Sequence, residues 1–207
     1  MRRVATVVLT IALCWSAGAA WAVPIEIIGG PGDDRLVGNE RHNWMEGRDG
    51  DDVLLGRAGN DAQDGQRGND RLRGGSGSDT LVGGLGADRL RGGRGGNTLL
   101  GSQGGDMMIG GPAQELFEGG RGGDWIKGHA GPDRLRGASG RDTLFPGPGR
   151  DDIFGGAQSD TFYMGHDGDV DRIHCGPGDD DLLQYTGSVE GLDVIDGDCE
   201  TIVTIPN

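Results

Sequence analysis

Aromatic side chains are scarce in this chain: four Trp, two Tyr and four Phe among 207 residues, or 5%. Positive charge is scarce as well, with 19 Lys and Arg against 33 Asp and Glu and a formal net charge of −14. The first shortage, set beside 45 glycines, excludes an ordinary bulky core, and without a period it would be the composition of a disordered chain. The second excludes nucleic acid and anionic membranes as natural partners and makes a divalent cation a natural one. Catalytic signatures are missing too. There is no His-Glu-x-x-His and no Gly-x-Ser-x-Gly, so neither a zinc protease nor a serine-elbow hydrolase is expected. The four histidines, His42, His129, His166 and His174, are scattered and read as exposed turn residues rather than bases.

What the chain has is a period. From Gly29 to Tyr163 it repeats one nine-residue phrase fifteen times, without an insertion. Clear copies are Gly29 to Val37, Gly74 to Val82 and Gly83 to Arg91, all following G-G-x-G-x-D-x-U-x with U a large apolar residue. Gly at places 1, 2 and 4 suits tight turning, since it adopts positive φ freely. The apolar residue at place 8 points one way and its neighbours the other, as in a short strand. Six residues of turn and three of strand make half a coil, so two consecutive repeats close one full turn. The expected fold is all-β: a parallel β-roll, a right-handed solenoid of two short-stranded parallel sheets set back to back. Place 8 fills the core between them, with Gln63 the one polar residue in that column.

These nonapeptides resemble the RTX, or hemolysin-type, calcium-binding repeat, which the sequence matches over about two-thirds of its length. The resemblance implies Ca²⁺ at the Gly/Asp turns. Calcium takes six to eight oxygen ligands, and in so thin a core its binding energy becomes folding energy. The implied metal residues fall on two edges, because turns of alternate repeats stack. One edge presents Asp34, Asp52, Asp70, Asp88, Asp106, Asp124, Asp142 and Asp160; the other presents Asp61, Asp79, Asp133 and Asp151, interrupted by Asn43, Asn97 and Glu115. The first edge is expected to carry a filled ladder and the second a gapped one. Departures at Arg41, Ala113, Pro146 and Gln158 read either as drift in tolerant turns or as emptied sites.

The ends differ from the middle. Residues 1–22 read as a secretory signal peptide: Arg2 and Arg3, an apolar stretch from Val4 to Leu13, and Ala20-Trp21-Ala22 before a cleavage point at Val23. An uncleaved anchor is the alternative, although the apolar stretch is shorter than the ~20 residues a span needs. The mature protein would be secreted, with the roll over 23–163 and a capping segment over 164–207. Pro24 to Ile28 would add a strand over the open end. Beyond an eleven-residue break, a last copy runs from Cys175 to Leu183 and places Asp180 as its metal residue. Its Cys-Gly-Pro-Gly turn and the later Asp198-Cys199-Glu200 resemble the closing segment of other secreted repeat proteins, which implies a Cys175–Cys199 disulfide. An even cysteine count after export favours the same pairing; free thiols, or a metal site with His174, are the alternatives.

The functional reading is a secreted, monomeric calcium-binding protein without enzymatic activity. An adhesin-like module for a cell-surface or matrix partner is the alternative, and a β-helix polysaccharide lyase or epimerase a more distant one. One sheet should carry Arg71, Arg73, Arg89 and Arg91 outward, followed by Met107, Ile109, Trp125, Phe145 and Tyr163. That face reads either as a partner surface or as ground covered by the C-terminal segment.

Overall fold

The computed structural model describes residues 8–9, 24–165, 167–178, 180–186, 193–196 and 198–205. The proposed signal peptide therefore lies outside the described residues, apart from Val8–Leu9. Among the described residues there is no helix, and the strands form two sheets of eleven and ten. Successive strands alternate between the sheets. Leu81 pairs with Leu99 in one and Leu72 with Leu90 in the other, each two repeats further along the chain. All pairings after the first are parallel; Val8–Leu9 alone runs antiparallel, against Ile28 and Ile27. This is the β-roll the period implies. We call the sheet running from Arg35–Val37 to Thr201–Ile205 the odd sheet and its partner the even sheet.

The core follows the period. Every place-8 residue from Leu36 to Phe162 is buried, Gln63 among them. Gln63 donates its Nε2 to the Arg73 carbonyl at 2.9 Å, while its Oε1 is buried without a partner. Ile27 begins the same column, Ile173 and Leu183 extend it, and Met164 and Tyr185 are buried beside it.

The strands depart from the expected three residues. Nine have six, as in Arg71–Ser76, Thr80–Leu85 and Arg89–Arg94, and run on through both following places, while others such as Met107–Ile109 and Thr143–Phe145 keep three. Pairing continues there, so three places in each repeat face inward: the apolar place 8, the Asp before it and the first Gly after it. The turn folds the following Asp back against that Gly. A Cβ on Gly83 would overlap the Asp88 carboxylate oxygen Oδ2 and lie 2.9 Å from Asp88 Cβ. The second Gly kinks the strand with positive φ, +119° at Gly75 and +115° at Gly84.

Both ends continue the roll. Ile25–Ile28 pairs with the strand Asn43–Asp49, as the lead-in suggested. At the other end Arg172–His174, Leu182–Thr186, Val194–Ile195 and Thr201–Ile205 extend the two sheets. The described C-terminal strands thus stack on the last coil rather than fold back across a sheet face. Cys175 and Cys199 are joined in a disulfide with Cα atoms 5.3 Å apart.

Candidate metal centre

Asp at place 6 is inward because it sits two residues before the core residue, on the same side of the strand. The result is a ladder of carboxylates along each edge. On the odd edge the Asp34 N–H donates to Asp52 Oδ1, Asp52 to Asp70, and Asp70 to Asp88, each at 2.7 Å. The series continues through Asp106, Asp124, Asp142 and Asp160 at 2.8–2.9 Å. It then passes to Asp181 at 2.7 Å and to Glu200 Oε2 at 2.8 Å without a break.

The even edge has a gap. Asn43, Asp61, Asp79 and Asn97 are linked at 2.8–2.9 Å. Among the described residues no such bond joins Asn97 to Glu115. The ladder resumes from Glu115 through Asp133, Asp151 and Asp171 to Asp193 at 2.8–3.0 Å. Asn97 turns its amide nitrogen to the Gly95 carbonyl instead, at 2.8 Å.

One register assignment is corrected. Asp180 does not occupy the ladder: it is exposed, and Asp181 is the fully buried carboxylate that accepts from Asp160. The turn after Asp160 is longer than those of the regular coils, with a separation of 21 between the partners instead of the 18 seen at Asp142–Asp160, so counting nonapeptides from Cys175 lands one short. The core residue shifts equally, from Leu182 to Leu183. Asp171, Asp193 and Glu200 also belong to the ladders although no complete nonapeptide contains them.

Most ladder Asp residues use one oxygen and leave the other alone. Oδ2 of Asp52, Asp61, Asp70, Asp79, Asp88 and Asp106 is buried without a hydrogen-bond partner, as is that of Asp124, Asp133, Asp142, Asp151, Asp160 and Asp181. Leaving a buried carboxylate oxygen unsatisfied is costly. Two terminal rungs differ: Asp34 Oδ2 accepts from the Gly30 N–H at 2.6 Å, and Asp193 Oδ2 from the Tyr185 hydroxyl at 2.8 Å.

The unpaired oxygens lie in cradles that only glycine leaves open. At Gly65 an added Cβ would overlap Asp70 Oδ2 and lie 2.6 Å from the Gly83 carbonyl oxygen; Gly101 relates in the same way to Asp106 and the Gly119 carbonyl. A free carboxylate oxygen and a backbone carbonyl thus converge where a side chain would otherwise be. Among the described residues no three acidic, His or Cys side chains converge on one point. A set of single carboxylates with carbonyls suits a hard cation and not a zinc-type centre.

The electrostatics agree. Burial pushes the carboxyls of Asp52, Asp88, Asp124, Asp151 and Asp160 up to about 7. It pushes Asp61, Asp142 and Asp171 to about 6. The backbone N–H that each Asp accepts pulls the other way without offsetting burial, and most of these carboxyls are raised further by charged neighbours on the same ladder. A bound cation would reverse this balance, because an adjacent positive charge favours the ionised carboxylate.

No match is found among curated proteins. The model of the RTX calcium-binding nonapeptide repeat matches residues 28–62, 64–99, 82–113, 109–144, 118–153, 128–162 and 145–182. Those matches cover the stretch in which the roll, its open glycine cradles and its ladders of half-used carboxylates are built, and the chain belongs to the RTX calcium-binding nonapeptide repeat family.

Proposed function

We propose that this chain is an exported calcium-binding protein whose roll forms as its Asp turns take up Ca²⁺. The metal residues are Asp52, Asp70, Asp88, Asp106, Asp124, Asp142 and Asp160 on the odd edge, with Asp34 at its start and Asp181 at its far end in place of Asp180. On the even edge they are Asp61, Asp79, Asp133 and Asp151. The observation that carries this reading is the row of buried Oδ2 atoms without partners, most of them over a glycine; Asp151 faces Pro146 at the equivalent place. Calcium would supply the missing positive charge at those oxygens. The chain's own part is to hold the carboxylates in register through the backbone N–H bonds and to keep the cradles free of side chains.

The two edges should not bind equally. The unbroken odd ladder offers acid on both sides of each interval, whereas Asn43, Asn97 and Glu115 interrupt the even one. Asn keeps an oxygen but loses the charge, and Glu is one methylene longer. Seven Ca²⁺ in the seven intervals from Asp34 to Asp160 would carry +14, equal in size to the −14 on the chain.

Export rests on the signal-like segment 1–22 and on the disulfide, which suits an oxidising compartment. No enzymatic role is proposed: the buried Asp residues are spread along two edges and do not gather in one cleft. The test is far-ultraviolet circular dichroism during a calcium titration from a chelated start. A transition from coil to β is expected, with apparent affinity near the ~10⁻⁴–10⁻³ M of extracellular calcium modules or tighter through cooperativity. A full β spectrum in excess chelator would overturn folding on calcium.

A further inference from the structure

The outer face of the odd sheet carries a basic groove on an acidic protein. In its outermost column Arg73 stands directly beside Arg91 on the adjacent strand, and Lys127 follows one strand beyond Ile109. Two residues earlier Arg71 stands beside Arg89 in the same way. Adjacent strands are about 4.8 Å apart, so four like charges occupy one block, an arrangement that costs stability unless something offsets it. Among the described residues the arginine ion pairs are Arg67–Asp49 and Arg134–Asp152, both on the even sheet. Within that same set the groove arginines have none.

The face is concave as well as charged. Beside the Arg73–Arg91 column the floor is Gly75, Gly93 and Gly111, where the absent side chains leave an open trough of about 970 Å³. Arg57 stands at one end and His129 near the other, with Arg94 along the rim. His129 is held below its usual pKa, first by burial and then by Lys127 and Arg91, which places three potential cations within mutual influence. The trough spans six successive coils, from Leu55 on Val53–Ala58 to Gly147 and Pro148 just beyond Thr143–Phe145, a length of roughly 24 Å at the strand spacing.

We propose that this groove binds a linear acidic polysaccharide, with Arg73 and Arg91 holding successive anionic groups. The charge is complementary, and the open-ended trough admits a polymer passing through. The long, flexible Arg73 and Arg91 side chains can reach anionic groups on an extended chain lying along the trough. Nucleic acid fits less well. Binding single strands calls for exposed aromatic faces, but the aromatics beside the groove cover one another: Phe145 stacks on Tyr163 at 4.5 Å and 3° and packs on Trp125 at 5.1 Å. The glycan site stands on the outward face and does not depend on which inward oxygens bind calcium.

The experiment measures binding of full-length protein to a polygalacturonate oligomer, dextran sulfate, neutral dextran and single-stranded DNA, by calorimetry at fixed free calcium. It uses whichever calcium condition gives the β spectrum, so failure of the groove and failure of the calcium reading are seen separately. Binding to at least one acidic glycan is expected, weakening with salt, with the carboxylated and sulfated arms showing which anion is preferred. R73Q/R91Q should lose at least tenfold in affinity and show a shallower salt dependence. R134Q/R136Q, on the opposite sheet, should change it by less than about threefold, and both variants should keep the β spectrum. The proposal is overturned if neither acidic glycan binds or neutral dextran binds equally. It also fails if DNA binds more tightly than either glycan, or if the two double variants lose alike.

Discussion

Replacing Gly83 by Ala adds one methyl group to the inner face of a coil, and the geometry there sets its cost. Gly83 has no positive φ, so backbone strain is not at issue; the new Cβ would overlap Asp88 Oδ2 and approach Asp88 Cβ and Cγ to 2.9 Å. Overpacking of this kind costs about 1–3 kcal/mol. Against it stands the gain of about 0.4–1 kcal/mol from a less flexible unfolded chain. The net expectation is a loss of about 1–2 kcal/mol, together with closure of the cradle at that rung. Gly165→Ala is the control, because its Cβ would meet nothing within 4 Å; only the unfolded-state gain should remain. Denaturant unfolding at saturating calcium measures both, and a calcium titration reads the lost rung as a raised midpoint in Gly83→Ala alone. The double variant Gly83→Ala/Asp88→Ala removes the Oδ2 and Cγ overlaps but keeps the Cβ at 2.9 Å, so part of the penalty should disappear. Gly83→Ala with wild-type stability and midpoint, or a penalty undiminished in the double variant, would refute the reasoning.

Three further outcomes are expected. Asp88→Ala, within the unbroken odd ladder, should lower calcium-dependent stability more than Asn97→Ala at the even gap; equal losses in thermal unfolding at matched calcium would contradict the asymmetry. In chelator, acid should favour the roll. The ladder carboxyls rise to about 6–7 on folding from an ordinary 3.8, so the folded chain binds more protons. The resulting penalty is full above about pH 7 and is relieved as pH falls toward 4; with calcium present the same window should weaken binding, since protons and calcium compete. Circular dichroism at stepped pH with and without chelator checks both signs. Cys175→Ser/Cys199→Ser should lower stability by roughly 3 kcal/mol, the chain-entropy value for a loop of this size, measured by denaturant unfolding against the oxidised parent.

Much of this was legible because the repeat keeps its register through fifteen copies. The core column from Leu36 to Phe162 and the pairing of each strand with the one two repeats on follow from counting alone. Strand length did not, because glycine reads as turn in sequence, whereas here the first Gly of most repeats stays in the ladder beneath a carboxylate. The C-terminal ladder was missed for a different reason. Separations of 20, 21 and 22 at Asp151–Asp171, Asp160–Asp181 and Asp171–Asp193 defeat a fixed nine-residue count. The extra residues are taken up in the turns, while the hydrogen-bond ladder, which reads space and not sequence, stays intact. A shorter signal persists: an acid two residues before an apolar residue, as in Asp171-Arg172-Ile173, Asp181-Leu182-Leu183 and Asp193-Val194-Ile195. It marks the inward face at Asp171 and Asp193, whereas Asp180-Asp181-Leu182-Leu183 fits it in two registers.

The central claim is that the unpaired Oδ2 atoms over the glycine cradles are calcium ligands. A crystal structure grown in calcium, with anomalous differences collected to locate the ions, tests it most directly. The account predicts Ca²⁺ at Oδ2 of successive odd-edge residues from Asp52 to Asp160, with weaker or missing peaks around Asn97 and Glu115. Calcium bound only at outward carboxylates such as Asp33 and Asp51, with the buried oxygens left unliganded, would contradict it.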